Sequence, residues 1–266
     1  MRLTAALLIV VCWVGPSMAA DKIDRLMSAM HLRQVVDTLR QEGQVQGKEL
    51  DETLLGNAGG ALFQAQVDEI FEPLWMHDLI TETIAQNLTD SELDRAIMFF
   101  ESDLGQTLVS LENSARQAIS DETIRDMAQE RYLESRRDTP HFKLVDEYIQ
   151  VNDLIELNVQ NSLSADFNFF RGLGNDTNLD EGELLAQLLS EKDSVRDEAE
   201  IWLYSFLLLA YHPLSDAQMR ENIAFSRTEA GQAVNQALFE SFDSMYDQMY
   251  FKLGQAVSGV LSGSDL

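Results

Sequence analysis

The side chains of this 266-residue chain with the widest chemical reach are its four histidines and 45 acidic residues. His31, His77, His141 and His212 are scattered, and none belongs to a His-Glu-x-x-His zinc motif or a Glu-x-x-His di-iron pair. There is no Gly-x-Ser-x-Gly elbow, no P-loop and no dinucleotide fingerprint. Two carboxylates can act as acid and base, as in glycosidases, but 45 acids offer too many pairs to single one out. His77, next to Trp75 and Asp78, comes nearest to a polar site; a satisfied histidine at a core edge is the competing reading. Asp176-x-Asn178-x-Asp180 is like the start of an EF-hand loop. Glu181 then stands where the turn glycine belongs and Gln187 where the bidentate Glu belongs, so a turn and a helix start are expected instead. No catalytic residue, metal ligand or cofactor site is assigned.

The elements that must position any site are organised around a stretch that occurs twice. Residues 88–109 align without a gap on residues 214–235, an offset of 126. Six of the 22 positions are identical: Leu88/Leu214, Asp90/Asp216, Ile97/Ile223, Phe99/Phe225, Gly105/Gly231 and Gln106/Gln232. Average residue usage gives roughly one or two by chance. Thr89-x-x-Glu92 and Ser215-x-x-Gln218 both read as capping boxes. Leu88 with Leu93, and Leu214 with Met219, form the hydrophobic staple that sets how the chain enters each helix.

A second helix start follows each time. Ser102 and Thr228 are candidate N-caps, with Asp103 or Glu229 in the first turn, where the helix dipole favours a carboxylate. Gly105 and Gly231 come next, although a helical glycine costs about 1 kcal/mol relative to alanine. Close approach by a neighbouring helix accounts for them. An anion site at the helix start is the rival, opposed by the adjacent acid.

The run from Leu88 to Leu108, with its aromatic pair, Ser102 and Gly105-Gln106, resembles the bacterial domain of unknown function numbered 2059. The resemblance is clearest over about residues 70–130 and recurs more weakly over about 196–250. It implies an exported helical protein, and it supplies no activity and no catalytic residues. Proline is common after the serine in that family, whereas this chain has Asp103 and Glu229.

Residues 1–19 read as a secretory signal peptide. Arg2 forms a positive start, Leu3 to Val14 an apolar run, and Ser17-Met18-Ala19 a small-residue cleavage site. The only cysteine, Cys12, falls inside it, so the mature chain would have no disulfide, thiol nucleophile or thiolate metal site. A periplasmic location is expected, with secretion as the variant. The net charge of −26 argues against nucleic acid or an anionic membrane surface as partner. A basic protein or peptide is compatible with it, and so is a plain solvated surface.

Apolar periodicity predicts a helix over 21–42, then a glycine-rich loop over 43–60 around a short helix near 50–55. A helix over 61–86 comes next, with a possible break at Glu72-Pro73, and then one long helix over 103–137. Asp138-Thr-Pro-His141 marks a boundary. Beyond it, helices are expected near 142–163, at the apolar run 201–211, which is too short to span a bilayer, and over 229–257. Met245, Met249, Tyr246, Tyr250, Phe239 and Phe242 crowd the last of these and read as core, an adaptable binding face being the alternative.

The expected fold is all-α: two tandem, internally duplicated helical units, 20–137 and 138–258, packed through Gly105 and Gly231, with a disordered tail at 259–266. The leading functional expectation is a non-catalytic interaction or chaperone-like module. A carrier of a small hydrophobic or lipid ligand held between the units is the alternative, and a carboxylate-dependent enzyme stands third.

Overall fold

A computed structural model of the chain describes residues 16–174 and 180–263. The apolar start over 1–15 and the Asp176 and Asn178 positions of the EF-hand-like run lie outside these residues. The described chain is all-α, with no strand among the described residues. In order, the helices are α1 (Pro16–Ala29), α2 (Leu32–Thr53), α3 (Gly60–Ile70), α4 (Pro73–Asn87), α5 (Asp90–Phe100), α6 (Asp103–Ile119) and α7 (Glu122–Leu133). They are followed by α8 (Pro140–Val151), α9 (Leu154–Leu173), α10 (Glu181–Ser190), α11 (Lys192–Ala210), α12 (Asp216–Ser226) and α13 (Glu229–Gly263).

Each corner has a local cause. Thr89 and Ser215 start α5 and α12 with complete capping boxes. Ser102 and Thr228 cap α6 and α13 through the Gly105 and Gly231 amides, at 3.1 and 3.0 Å. Asp121 accepts from the Thr123 and Ile124 amides and starts a new helix there. The long helix expected over 103–137 is therefore two, because a carboxylate in mid-run captured donors that the helix would have used. His31, at φ +53°, likewise divides the expected 21–42 helix into α1 and α2.

The expected glycine-rich loop is mostly helix. Gly43 and Gly47 face the core inside α2, where a Cβ would fall on the Phe71 ring and on Val67. Only 54–59 remains as the turn into α3. At the other end α13 runs past Val257 to Gly263, into the tail expected to be disordered.

Two hydrophobic cores form, and each draws helices from both halves of the chain. The first joins α1–α5 to Val234, Met245, Met249 and Leu253 of α13. The second joins Leu104, Leu108 and Ala115 of α6 and Tyr132 of α7 to α8, α11 and α12. The last helix of the first half thus packs in the second core, and the last helix of the chain packs in the first. Along α9 and α13 the backbones meet at two reciprocal glycines. A Cβ on Gly172 would lie 2.1 Å from the Phe251 carbonyl oxygen, and one on Gly254 would lie 2.1 Å from that of Phe169.

Gly105 and Gly231 do not join the halves directly. A Cβ on Gly105 would lie 2.2 Å from the carbonyl oxygen of Phe99, and one on Gly231 would lie 2.1 Å from that of Phe225. Each glycine therefore seats a helix against the end of the helix just before it. The residues that meet across the halves are Phe99 and Phe225, at matched positions of the two stretches; their rings stack at 3.7 Å and 3°.

Because backbone cannot yield as a side-chain tip does, Gly105→Ala and Gly231→Ala should each cost about 1–3 kcal/mol and lower the melting temperature by several degrees. Gly259→Ala, in the same helix as Gly231 but with nothing within 4 Å of the added carbon, should leave it unchanged or slightly raised. Thermal unfolding of the three variants checks this.

Candidate functional site

The two corners are tied to their surroundings by the paired glutamines. Gln106 donates from Nε2 to the carbonyls of Phe100 and Ala29, at 2.6 and 2.8 Å. Gln232 donates in the same way to Ser226 and Val151, at 2.6 and 3.1 Å. Each amide thus fastens the end of one helix pair to another: α5/α6 to the end of α1, and α12/α13 to the end of α8. His31 completes the first clasp, its Nε2 lying 3.2 Å from Gln106 Oε1. The repeat made both glutamines visible in the sequence, but not what they hold.

Between these corners lies a cavity of about 280 Å³, near the lower end of the range usual for small-molecule sites. Its apolar wall comes from α5, α11, α12 and α13. The Phe99–Phe225 stack lies against the edge of Phe100, at 5.3 and 5.9 Å, and Trp202 stacks on Phe206 at 5.3 Å. Leu238 and Phe242 extend the wall along α13, and Met30, Leu32 and Val35 close it from α1 and α2.

Polar side chains complete the lining. Glu112 and Arg116, one turn apart on α6, are both among them. Arg116 is held by Glu42 of α2 through two bonds, Nε–Oε1 at 3.1 Å and Nη2–Oε2 at 2.8 Å. That fork keeps the guanidinium fully charged against its burial. Glu112 accepts the Tyr211 hydroxyl at 2.5 Å and has no cationic partner among the described residues. Burial pushes its carboxyl above the usual range, and the Tyr211 bond only partly opposes this. Burial and the nearby Glu112 in turn raise the phenols of Tyr148 and Tyr211. Asn113 Nδ2, also in the lining, is buried and makes no hydrogen bond; the Asn222 amide, 4% exposed, lies against the Tyr148 hydroxyl and opposes the rise of that phenol. An unmatched buried donor costs about 1–3 kcal/mol, and Asn113 leaves one in the cavity lining.

The residues singled out from sequence lie mostly elsewhere. Thr89, Glu92, Ser215 and Gln218 are exposed or half-buried caps away from the cavity. Ser102, Gly105 and Thr228 build the corners, and of the eight motif residues Gly231 alone lines the cavity. His77 is on α4 with Nδ1 3.5 Å from the exposed Asp78 carboxylate, and no further titratable partner joins them. His141 has an unpartnered Nε2 near His212. Asp180 caps α10 through the Gly182 and Glu183 amides. Among the described residues no group of three or more His, Cys, Asp or Glu is placed to hold a metal, and no helix is long and apolar enough to cross a membrane. Of the Met- and aromatic-rich set on α13, Met245 and Met249 are fully buried in the first core and Phe242 reaches the cavity. Glu112, Arg116, Tyr148, Tyr211 and Asn222 carried no sequence signal, since one acid among 45 gains meaning only from its surroundings.

A folded protein that raises a carboxyl's pKa holds that proton more tightly than the unfolded chain does. The stability this gives is full below the ordinary value of 4.5 and is lost as pH rises through the raised value. Glu112→Gln keeps an acceptor for Tyr211 and removes this dependence. Its melting temperature should therefore gain on the wild type as pH rises above 4.5. A difference that stays constant across that range would mean that Glu112 titrates as an ordinary surface acid.

Among curated proteins and solved structures, none matches this chain. A family model described as an uncharacterized protein conserved in bacteria, DUF2059, matches residues 76–132. The match does not extend to residues 214–235, which share with 88–109 the capping box, the glycine contact and the glutamine clasp described above. The segment that is similar to DUF2059 runs from within α4 into α7 and carries the first corner together with Glu112 and Arg116 of the cavity lining.

Proposed function

We propose that this protein is a non-catalytic binder of a small, largely apolar ligand with one polar end, held in the cavity between the α5/α6 and α12/α13 corners. The observation that carries the reading is the cavity itself, lined by stacked aromatic rings and by the buried, unmatched amide of Asn113. An apolar void can stay dry, but an unpaired amide beside it is satisfied only by an occupant or by water. Carboxylate catalysis gains no support, because Glu112 is the only carboxylate lining the cavity and Glu42 next to it is taken by Arg116. On this reading the chain is an internally duplicated, exported protein whose two stretches meet at the ligand, and it acts in the periplasm as a carrier or sensor. A protein-docking role comes second, supported by Leu185 and Leu189, which α10 leaves 47% and 53% exposed.

Displacement of an environment-sensitive apolar dye tests the site. Val35→Trp, which places a large ring in the cavity from the half-buried face of α2, should weaken dye binding roughly tenfold or more, about 1.4 kcal/mol, with the fold intact by circular dichroism. Leu185→Glu should leave it unchanged. Equal binding by the wild type and Val35→Trp would place the dye elsewhere and remove the support for a cavity ligand.

A further inference from the structure

The cavity's charge balance narrows the ligand, and the narrowing rests on the binding role proposed above. Two charged side chains line the wall, Glu112 and Arg116. Arg116 is neutralised by its two bonds to Glu42. Glu112 is the one carboxyl of the lining, and no described residue gives it an opposite charge. Its Oε1 takes the Tyr211 hydroxyl, while Oε2 has no donor among the described residues. Phe99, Phe225, Trp202 and Phe206 line the same cavity. Aromatic faces carry partial negative charge and attract cations within about 6 Å. A carboxyl without a counter-charge in a lining that also holds such rings favours a positive guest and disfavours an anionic one. The net charge of −26 also concentrates cations near the molecule.

We propose that the cavity takes an organic ammonium, an aromatic or alkyl amine whose cation lies between the aromatic wall and the Glu112 carboxylate. The unpaired amide of Asn113 adds a second requirement, an acceptor in the same molecule. An amine that also carries a hydroxyl or carbonyl group fulfils both. The ligand also supplies the counter-charge that Glu112 lacks, so the carboxylate ionises as the amine enters and its proton leaves to solvent. The groups facing it are Tyr211, Tyr148 and Arg116 with Glu42, and none of them can supply that counter-charge without breaking an existing pair.

The test is isothermal titration of the full chain near neutral pH with three probes of one shape: 2-phenylethylamine, 2-phenylethanol and phenylacetate. The expected order is amine tightest, by roughly tenfold over the alcohol, with the acid weakest. Glu112→Gln should remove the amine's advantage and leave the alcohol's affinity unchanged. The comparison within the wild type stands even if that variant folds poorly. Alcohol or acid binding as tightly as the amine would overturn the ammonium proposal and leave the cavity reading in place. No binding of any probe, or amine binding unaffected by Val35→Trp, would overturn both.

Discussion

The third residue of α6 and the third residue of α13 must lack a side chain, because the carbonyl oxygen of the preceding helix occupies the place of a Cβ. Everything at the centre of the molecule follows from that close approach. It folds α6 back on α5, and α13 back on α12, tightly enough for one glutamine to reach the ends of two helices at once. It also sets Phe99 and Phe225 at the outer edges of their corners, where the two rings stack. The helices that leave these corners then cross into opposite cores, α6 and α7 into the second and α13 into the first. The two halves are held by exchange of helices rather than by contact between finished surfaces, so neither core is complete without the other half.

The cavity is a consequence of the same geometry. Two corners that meet through one pair of aromatic rings leave space beside the stack, and the helices lining it bring unlike chemistry to it. Against the rings a guest gains dispersion and the ring quadrupoles. It also meets a carboxyl raised by burial and, in Asn113, an amide with nothing to bind. Such groups destabilise the fold unless they are satisfied. That cost is why we propose a binding site rather than a packing defect.

Much of the scaffold was legible in the sequence, for a physical reason. Caps, staples and the glycine of each corner are local devices, and their effect is settled within about six residues of chain. Thr89-x-x-Glu92 and Ser215-x-x-Gln218 therefore meant in the fold what they meant on the page. Single side chains were harder to foresee. The Asp121 carboxylate divided one expected helix, and Gly43 and Gly47 continued a helix where a loop was expected, because Phe71 and Val67 needed the room. The exchange of helices between cores could not be read at all, since no local signal in α6 or α13 says which core its apolar residues enter. The cavity wall was equally silent. Glu112 acquires its character from burial, with its one hydrogen-bond donor, Tyr211, 99 positions away, and Arg116 is held by Glu42, 74 positions away.

The most direct measurement of the central claim is a pair of mass spectra, native and denaturing, of the protein isolated gently from the cells that make it. A small extra mass that survives native ionisation and is lost on denaturation, in one-to-one ratio with the chain, is the predicted result. Its value, read as an amine-bearing compound small enough for a cavity of about 280 Å³, would identify the ligand. A native mass equal to that of the bare chain, under conditions that keep the protein folded, would contradict the claim that the cavity holds a ligand in the cell.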